Sequence, residues 1–201
     1  MTSHLDPRQT LRRQLRQTRR NLSSDEQLNG AQNLLPCFAQ YLNDLQAQNL
    51  DKRIQHPKKI ALYLSNDGEI SPHVLCEHFW QQNIETYLPV IQGKELVFAL
   101  YSKDTIWQDN QFGIKEPITS SISSGNELDI VFLPLVGFDV KGGRLGMGGG
   151  FYDRTFEGKR ADQAPLLVGL AHDCQQVKSL PIEGWDVPLQ AFITPTQVIR
   201  V

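Results

Sequence analysis

Residues 129–136 form a short apolar run, Asp-Ile-Val-Phe-Leu-Pro-Leu-Val, which leads into a segment, residues 142–153, where six of twelve positions are glycine. The β-branched apolar run reads as a buried strand. Residues 151–157 read as one or two helical turns that stop at Gly158. Strand, glycine loop and helix in that order place an anion against backbone N–H groups at a helix start. Glycine lacks a Cβ and tolerates positive φ, so successive amides can turn toward one point. Arg144 adds a fork of donors suited to phosphate oxygens. Asp153 adds a hard oxygen of the type Mg2+ takes. One loop therefore carries the parts of a site for a magnesium–nucleotide phosphate. The competing reading is a flexible linker, but linkers are filled with Ser and Gly, not with Arg, Phe, Tyr and Asp. Neither G-x-x-x-x-G-K-[ST] nor G-x-G-x-x-G fits these glycines.

The rest of the chain alternates helical and strand patterns. Asp6 caps a first helix, Pro7 takes its first position and Gln9 completes a capping box. Leu11, Leu15, Thr18 and Leu22 share one face of that helix, and Arg8, Arg12, Arg16 and Arg19 line the neighbouring face. Docking by the apolar stripe would set that arginine row along a cleft, leaving Arg13 and Arg20 solvated. Ser23-Ser24-Asp25-Glu26 opens a second helix to about residue 50, kinked or split at Pro36. Residues 60–64 read as a strand, 71–82 as a helix, and 84–90 and 95–101 as strands about Gly93. Residues 102–127 read as mostly irregular. Further strands fall at 165–171, 189–194 and 197–201. The expectation is one α/β domain spanning 1–201, with a largely parallel sheet and helices on both faces. In such sheets ligands sit beyond the carboxyl ends of strands. That selects the glycine loop, residues 65–69 with Glu69, and the region of His172 and Asp173.

Composition narrows the class. The 201 residues carry 40% hydrophobic and 21% charged side chains with a net charge of −2. That is an ordinary globular balance, with no global pull toward nucleic acid or membrane. Residues 1–7 lack an apolar secretory core, and no apolar run approaches bilayer length. Cys37, Cys76 and Cys174 are widely spaced and odd in number, which argues for reduced thiols in the cytoplasm. The five histidines lack metal spacing.

Pro134, then Val136-Gly137-Phe138-Asp139, then Gly143-Arg144-Leu145-Gly146-Met147-Gly148-Gly149-Gly150-Phe151-Tyr152-Asp153-Arg154 resembles the signature of the 5-formyltetrahydrofolate cyclo-ligases, also called methenyltetrahydrofolate synthetases. Phe151 stands where the usual pattern has the first of two tyrosines, and Arg8 stands where relatives often carry Lys. The resemblance implies a three-layer α/β/α fold related to ribose-phosphate isomerase and CoA transferases. It also implies ATP-dependent conversion of 5-formyltetrahydrofolate to 5,10-methenyltetrahydrofolate, with release of ADP and phosphate. ATP contacts would come from Arg8, Arg12, Arg144, Leu145, Gly146, Met147, Gly148, Gly149, Gly150, Phe151 and Tyr152. The substrate would meet Leu64, Glu69, Trp107 and residues 147–152, and Asp153 and Asp186 would hold Mg2+. Arg144 and Tyr152 are the expected catalytic pair.

For Glu69, the residues alone favour an exposed turn acid; the resemblance makes it a partner for the amino-pyrimidine edge of a pterin. Trp107 reads equally as a stacking surface or as a loop anchor. Expected partners are a small folate, with or without a polyglutamate tail, and neither nucleic acid nor membrane; the expected state is a monomer. A different ATP-dependent ligase or kinase on the same scaffold, or a non-catalytic folate- or nucleotide-binding paralogue, are the alternatives.

Overall fold

The computed structural model describes residues 6–47, 56–110 and 113–201. Helix α1 spans Pro7–Arg20 and α2 spans Ser24–Gln46. Strand β1 (Lys59–Ala61) leads through helix α3 (His73–Gln81) to β2 (Glu85–Gln92) and β3 (Glu95–Tyr101). Short strands β4 (Ile106–Asp109), β5 (Lys115–Ile118) and β6 (Ile122–Ser123) follow, then β7 (Ile130–Leu133), β8 (Gly137–Phe138) and β9 (Arg144–Leu145). Helix α4 (Phe151–Thr155) precedes β10 (Leu166–Leu170), β11 (Ala191–Ile193) and β12 (Val198–Arg200).

Eight strands form one sheet in the order β12-β11-β10-β7-β1-β2-β3-β6. The five from β11 to β2 run parallel. Antiparallel partners close both edges: β12 on one side, β3 and β6 on the other. The expected largely parallel α/β sheet is present.

Central strands of such a sheet are buried on both faces, so they read as continuous apolar runs whose side chains alternate between two cores. In β7, Ile130 and Phe132 join the core under α2 and α3, while Val131 and Leu133 join the opposite core. In β11, Ala191 and Ile193 fall on the first side and Phe192 on the second. Phe38 of α2, Phe79 of α3 and Phe132 of β7 meet ring to ring in the first core, with centroids 5.3, 5.6 and 6.2 Å apart. The second face is covered by the β8–β9 hairpin, α4, Phe156 and Leu189 in place of a long helix.

Several local expectations are corrected. Pro36 lies inside α2 without splitting it. Pro36 takes one donor from the ladder, and the amide bonds of the long helix on either side carry it through. The projected end of α2 near residue 50 lies outside the described residues. Asp6 caps α1 through the Arg8 amide, 2.9 Å away, and not through that of Gln9. Thr18 is exposed, and Arg19 occupies the buried stripe beside Leu15. Residues 102–127 hold three strands, two of them paired as a β4–β5 arm with Ile106 opposite Ile118.

The strand order also locates a crevice. From β1 the chain crosses through α3 to β2 on one side; from β7 it crosses to β10 on the other. Since β1 and β7 are neighbours, their carboxyl ends mark a topological switch point, where the two outgoing loops part and leave room for a ligand.

Candidate active site

The loops leaving that switch point line a cleft of ≈ 620 Å³. Glu69 comes from the loop after β1, and Pro134 and Leu135 from the loop after β7. Helix α1 contributes Arg8 and Arg12, the glycine loop contributes Arg144 and residues 146–153, and the turn before β11 contributes Glu183, Trp185 and Asp186.

Packing explains why α1 lies here. Arg19 is fully buried, a costly placement unless every donor is matched. Its Nε donates to the Asp67 carbonyl at 2.8 Å, Nη1 to the Leu135 carbonyl at 2.9 Å and Nη2 to the Asp67 carboxylate at 2.9 Å. One side chain thereby ties α1 to both loops of the switch point. Arg16 and Arg20 also bond to Asp67. Burial pushes the Asp67 carboxyl up, but these three arginines outweigh it and hold the pKa at about 2. Arg16 and Arg19 therefore serve the loop carrying Glu69, while Arg8 and Arg12 reach the cleft. The arginine row is divided between two tasks because the loop meets only the C-terminal part of α1, at Arg16, Arg19 and Arg20.

The glycine loop is held at its base by Asp139, a buried carboxylate. Its Oδ1 accepts from the amides of Lys141 and Gly143 at 3.0 and 3.1 Å, and its Oδ2 from Leu180 at 2.9 Å. Gly148 and Gly150 adopt φ of 104° and 65°, conformations that side chains rarely enter. The Arg12 Nε donates to the Gly146 carbonyl at 2.9 Å, pinning the loop to α1.

Each acid expected to hold metal is paired with an arginine expected to hold phosphate. Arg8 grips Asp186 bidentately at 2.6 and 3.0 Å. Arg144 Nη2 donates to Asp153 Oδ1 at 2.8 Å, and the Val187 amide donates to the same oxygen at 3.2 Å. Burial raises the Asp186 carboxyl, but the bonds from Arg8 and the Glu183 amide outweigh it and hold the pKa below its ordinary value. Arg12 is eased downward by burial and then by Arg8. Arg144 is 7% exposed, and its buried Nε has no acceptor among the described residues. The Arg144 guanidinium carbon lies 5.7 Å from the Tyr152 ring centroid. Burial raises the Tyr152 pKa, so its hydroxyl keeps its proton at neutral pH.

No group of three or more His, Cys, Asp or Glu side chains is gathered as a metal site among the described residues. Two carboxylates in one cleft nevertheless suit Mg2+, which takes one or two protein carboxylates and completes its shell with phosphate and water. The hydrogen bonds that Arg144 and the Val187 amide make to Asp153 both fall on Oδ1, which leaves its second oxygen to face such an ion.

Glu69 faces the same cleft. Its Oε2 accepts from the Asn66 amide at 3.1 Å, and Arg19 stands 3.7 Å from Oε1. Burial outweighs both and pushes its pKa up to about 6. Beyond it the wall turns apolar, with Pro89, Ile91, Leu96 and Ile114.

Three expected residues stand apart from the cleft lining. Leu145 is buried in β9. Leu64 lines a separate hollow of ≈ 230 Å³ with Tyr101 and Cys76. Trp107, on β4 and 36% exposed, packs on Tyr101 at 5.5 Å between ring centroids. The third candidate loop also lies elsewhere: His172 packs beside Gly30, and Asp173 accepts hydrogen bonds from Thr194 and Thr196. Sequence reasoning marked Gly113-Ile114-x-Glu116-Pro117 with Trp107 as a family-like segment but gave Glu116 no site role, and it missed Asn110 and the β2–β3 wall, whose signal is spread over strands that meet only in the fold.

Residues 5–195 match the sequence model of the 5-formyltetrahydrofolate cyclo-ligase family. A 5-formyltetrahydrofolate cyclo-ligase of Haemophilus influenzae is 44% identical over 187 residues, covering 90% of this chain and 94% of its own. One from Mus musculus is 28% identical over 195 residues, covering 91% of each. Among solved structures, the 5,10-methenyltetrahydrofolate synthetase of Aquifex aeolicus superposes with a TM-score of 0.75 at 28% identity, covering 96% of this chain and 92% of that one. Its counterpart from Mycoplasma pneumoniae gives 0.65 at 26% identity, with 94% and 99% covered. The matched span takes in α1, the glycine loop and the turn that ends at Asp186, and on that ground the chain belongs to the 5-formyltetrahydrofolate cyclo-ligase family.

Proposed function

We propose that this cleft joins ATP to 5-formyltetrahydrofolate and closes the latter to 5,10-methenyltetrahydrofolate, releasing ADP and phosphate. The observation that carries this is the division of the cleft. Arg8, Arg12 and Arg144 with the glycine loop form a cationic end, and Glu69 with Pro89, Ile91, Leu96 and Ile114 forms an end suited to a flat heterocycle.

The chemical difficulty is a formyl group on nitrogen, a weak electrophile whose oxygen leaves badly. If the formyl oxygen attacks the γ-phosphorus, ADP departs and an imidate phosphate forms. N10 then adds to the formyl carbon and gives up its proton to the departing phosphate or to water, and phosphate leaves with the former formyl oxygen. Such transfers need positioning and charge stabilisation more than a protein nucleophile. Arg144 fits that role: its buried Nε lacks an acceptor that a phosphate oxygen would supply. Arg8 and Arg12 would bind the remaining phosphate charge. Tyr152, kept protonated, would donate a hydrogen bond to the formyl or phosphate oxygen. Asp153 and Asp186 would hold Mg2+, which when bound screens charge on the phosphate oxygens.

The test is spectroscopic. Protein mixed with Mg-ATP and 5-formyltetrahydrofolate should generate the methenyl chromophore, and an ATP-free control should not. Binding of both ligands without a spectral change would overturn the assignment.

A further inference from the structure

Glu116 is a carboxylate of β5 with 6% exposure, and it lines the apolar end of the cleft. Its Oε1 accepts from the Ile91 amide of β2 at 3.2 Å and from Asn110 Nδ2 at 2.9 Å. Both donors are neutral, and no Lys, Arg or His forms an ion pair with Glu116 among the described residues. Neighbouring side chains on that wall are Ile91, Leu96 and Ile114. A carboxylate withdrawn from water in such company needs more donors than two neutral amides. A brace between the β4–β5 arm and β2 could be built from a neutral Gln with the same reach. The charge is what asks for a further partner.

On the functional reading above, that partner is the ligand. The formyl nitrogen, N5, must sit toward Arg144 and the glycine loop, so the heterocycle's far end, with its 2-amino group, extends to the apolar wall. We propose that Glu116 orients the substrate by accepting a hydrogen bond from that 2-amino group, while Glu69, on the loop after β1 that lines the same cleft, meets the ring N–H closer to the formyl group. Glu116 is thus a second folate-reading carboxylate, specific for a 2-amino heterocycle.

The experiment compares 5-formyltetrahydrofolate with its analogue bearing methyl in place of the 2-amino group, on the full chain and on Glu116→Gln. Folding is checked by circular dichroism and nucleotide binding by calorimetry with ATP. Wild type should bind the analogue at least tenfold more weakly than the substrate. In Glu116→Gln, KM for the substrate should rise about tenfold with kcat changed less than threefold, ATP affinity should hold, and the analogue penalty should shrink to under threefold. If Glu116→Gln does not fold, Glu116→Asp keeps the charge and withdraws it by one methylene, and it carries the same comparison. A full analogue penalty in a folded variant, or none in wild type, overturns this assignment alone. Wild type that binds ATP but not 5-formyltetrahydrofolate overturns the functional reading and this assignment with it.

Discussion

Single residues set the charge balance of the cleft, and Glu69 is the one whose protonation falls within reach of ordinary experiments. Its pKa moves from 4.5 to about 6, chiefly through burial. An acid raised in the folded state binds more protons folded than unfolded between those values. Stability therefore falls as pH climbs from about 4.5 through 6, by on the order of 2 kcal/mol, and the loss persists above. Glu69→Gln should flatten that span of the stability profile in thermal melts. Accepting an N–H from folate needs the carboxylate, so substrate KM should fall as pH rises through about 6 in wild type and stay level in the variant. A wild-type KM without an inflection there would remove Glu69 from folate binding. Arg144→Ala should lower kcat by about 10³-fold or more, the scale for an arginine that stabilises phosphoryl-transfer charge. Asp153→Asn should weaken binding of Mg2+ together with ATP in calorimetry while ATP alone binds at least as well. Unchanged metal dependence would move the ion elsewhere.

At the scale of elements, α1 acts as the strut that assembles the site. Arg19 supplies the contacts, since Asp67 and Leu135 belong to the two loops that part at the switch point. Arg19→Ala would take the donor from the part-buried Asp67 carbonyl, leave the Leu135 carbonyl with Gln175 Nε2 alone at 2.7 Å, and weaken the hold on the Asp67 carboxylate. It should cost about 3–5 kcal/mol, as removing one partner of a buried ion pair does, visible as a lowered denaturation midpoint. Arg13→Ala, on the exposed face of the same helix, should cost within about 0.5 kcal/mol. Equal losses would show that α1 docks by its leucines alone. The pattern of α1 was legible in its cap and its leucine spacing, but the role of Arg19 was not. A buried arginine and a solvated one are written with the same letter, and only the carbonyls awaiting it across the fold tell them apart. Trp107 shows the same limit: whether an aromatic lines a cleft or packs on a distant ring, as Trp107 does on Tyr101, is not written in its local sequence.

For the molecule as a whole, two cores flank one sheet and share its strands. A chain organised as one domain over residues 1–201 should unfold in a single transition, with circular dichroism and tryptophan fluorescence coinciding. ATP at about 100 times its Kd should add about 2.7 kcal/mol to that stability, and separated transitions would divide the domain. No helix among the described residues is long and apolar enough to cross a membrane.

The chain's own order of residues determined the parallel sheet, through apolar runs such as residues 130–133 that can be buried on both faces. It also determined the glycine loop, because glycine at positive φ beside Arg and Asp is a local requirement. Tertiary structure alone decided which arginines line the cleft and which face carbonyls, and which acids of the β-rich region meet the cleft. Those outcomes rest on burial and on partners brought from far along the chain, as Asp186 is to Arg8 and Ile91 is to Glu116, and neither is encoded within any short window of sequence.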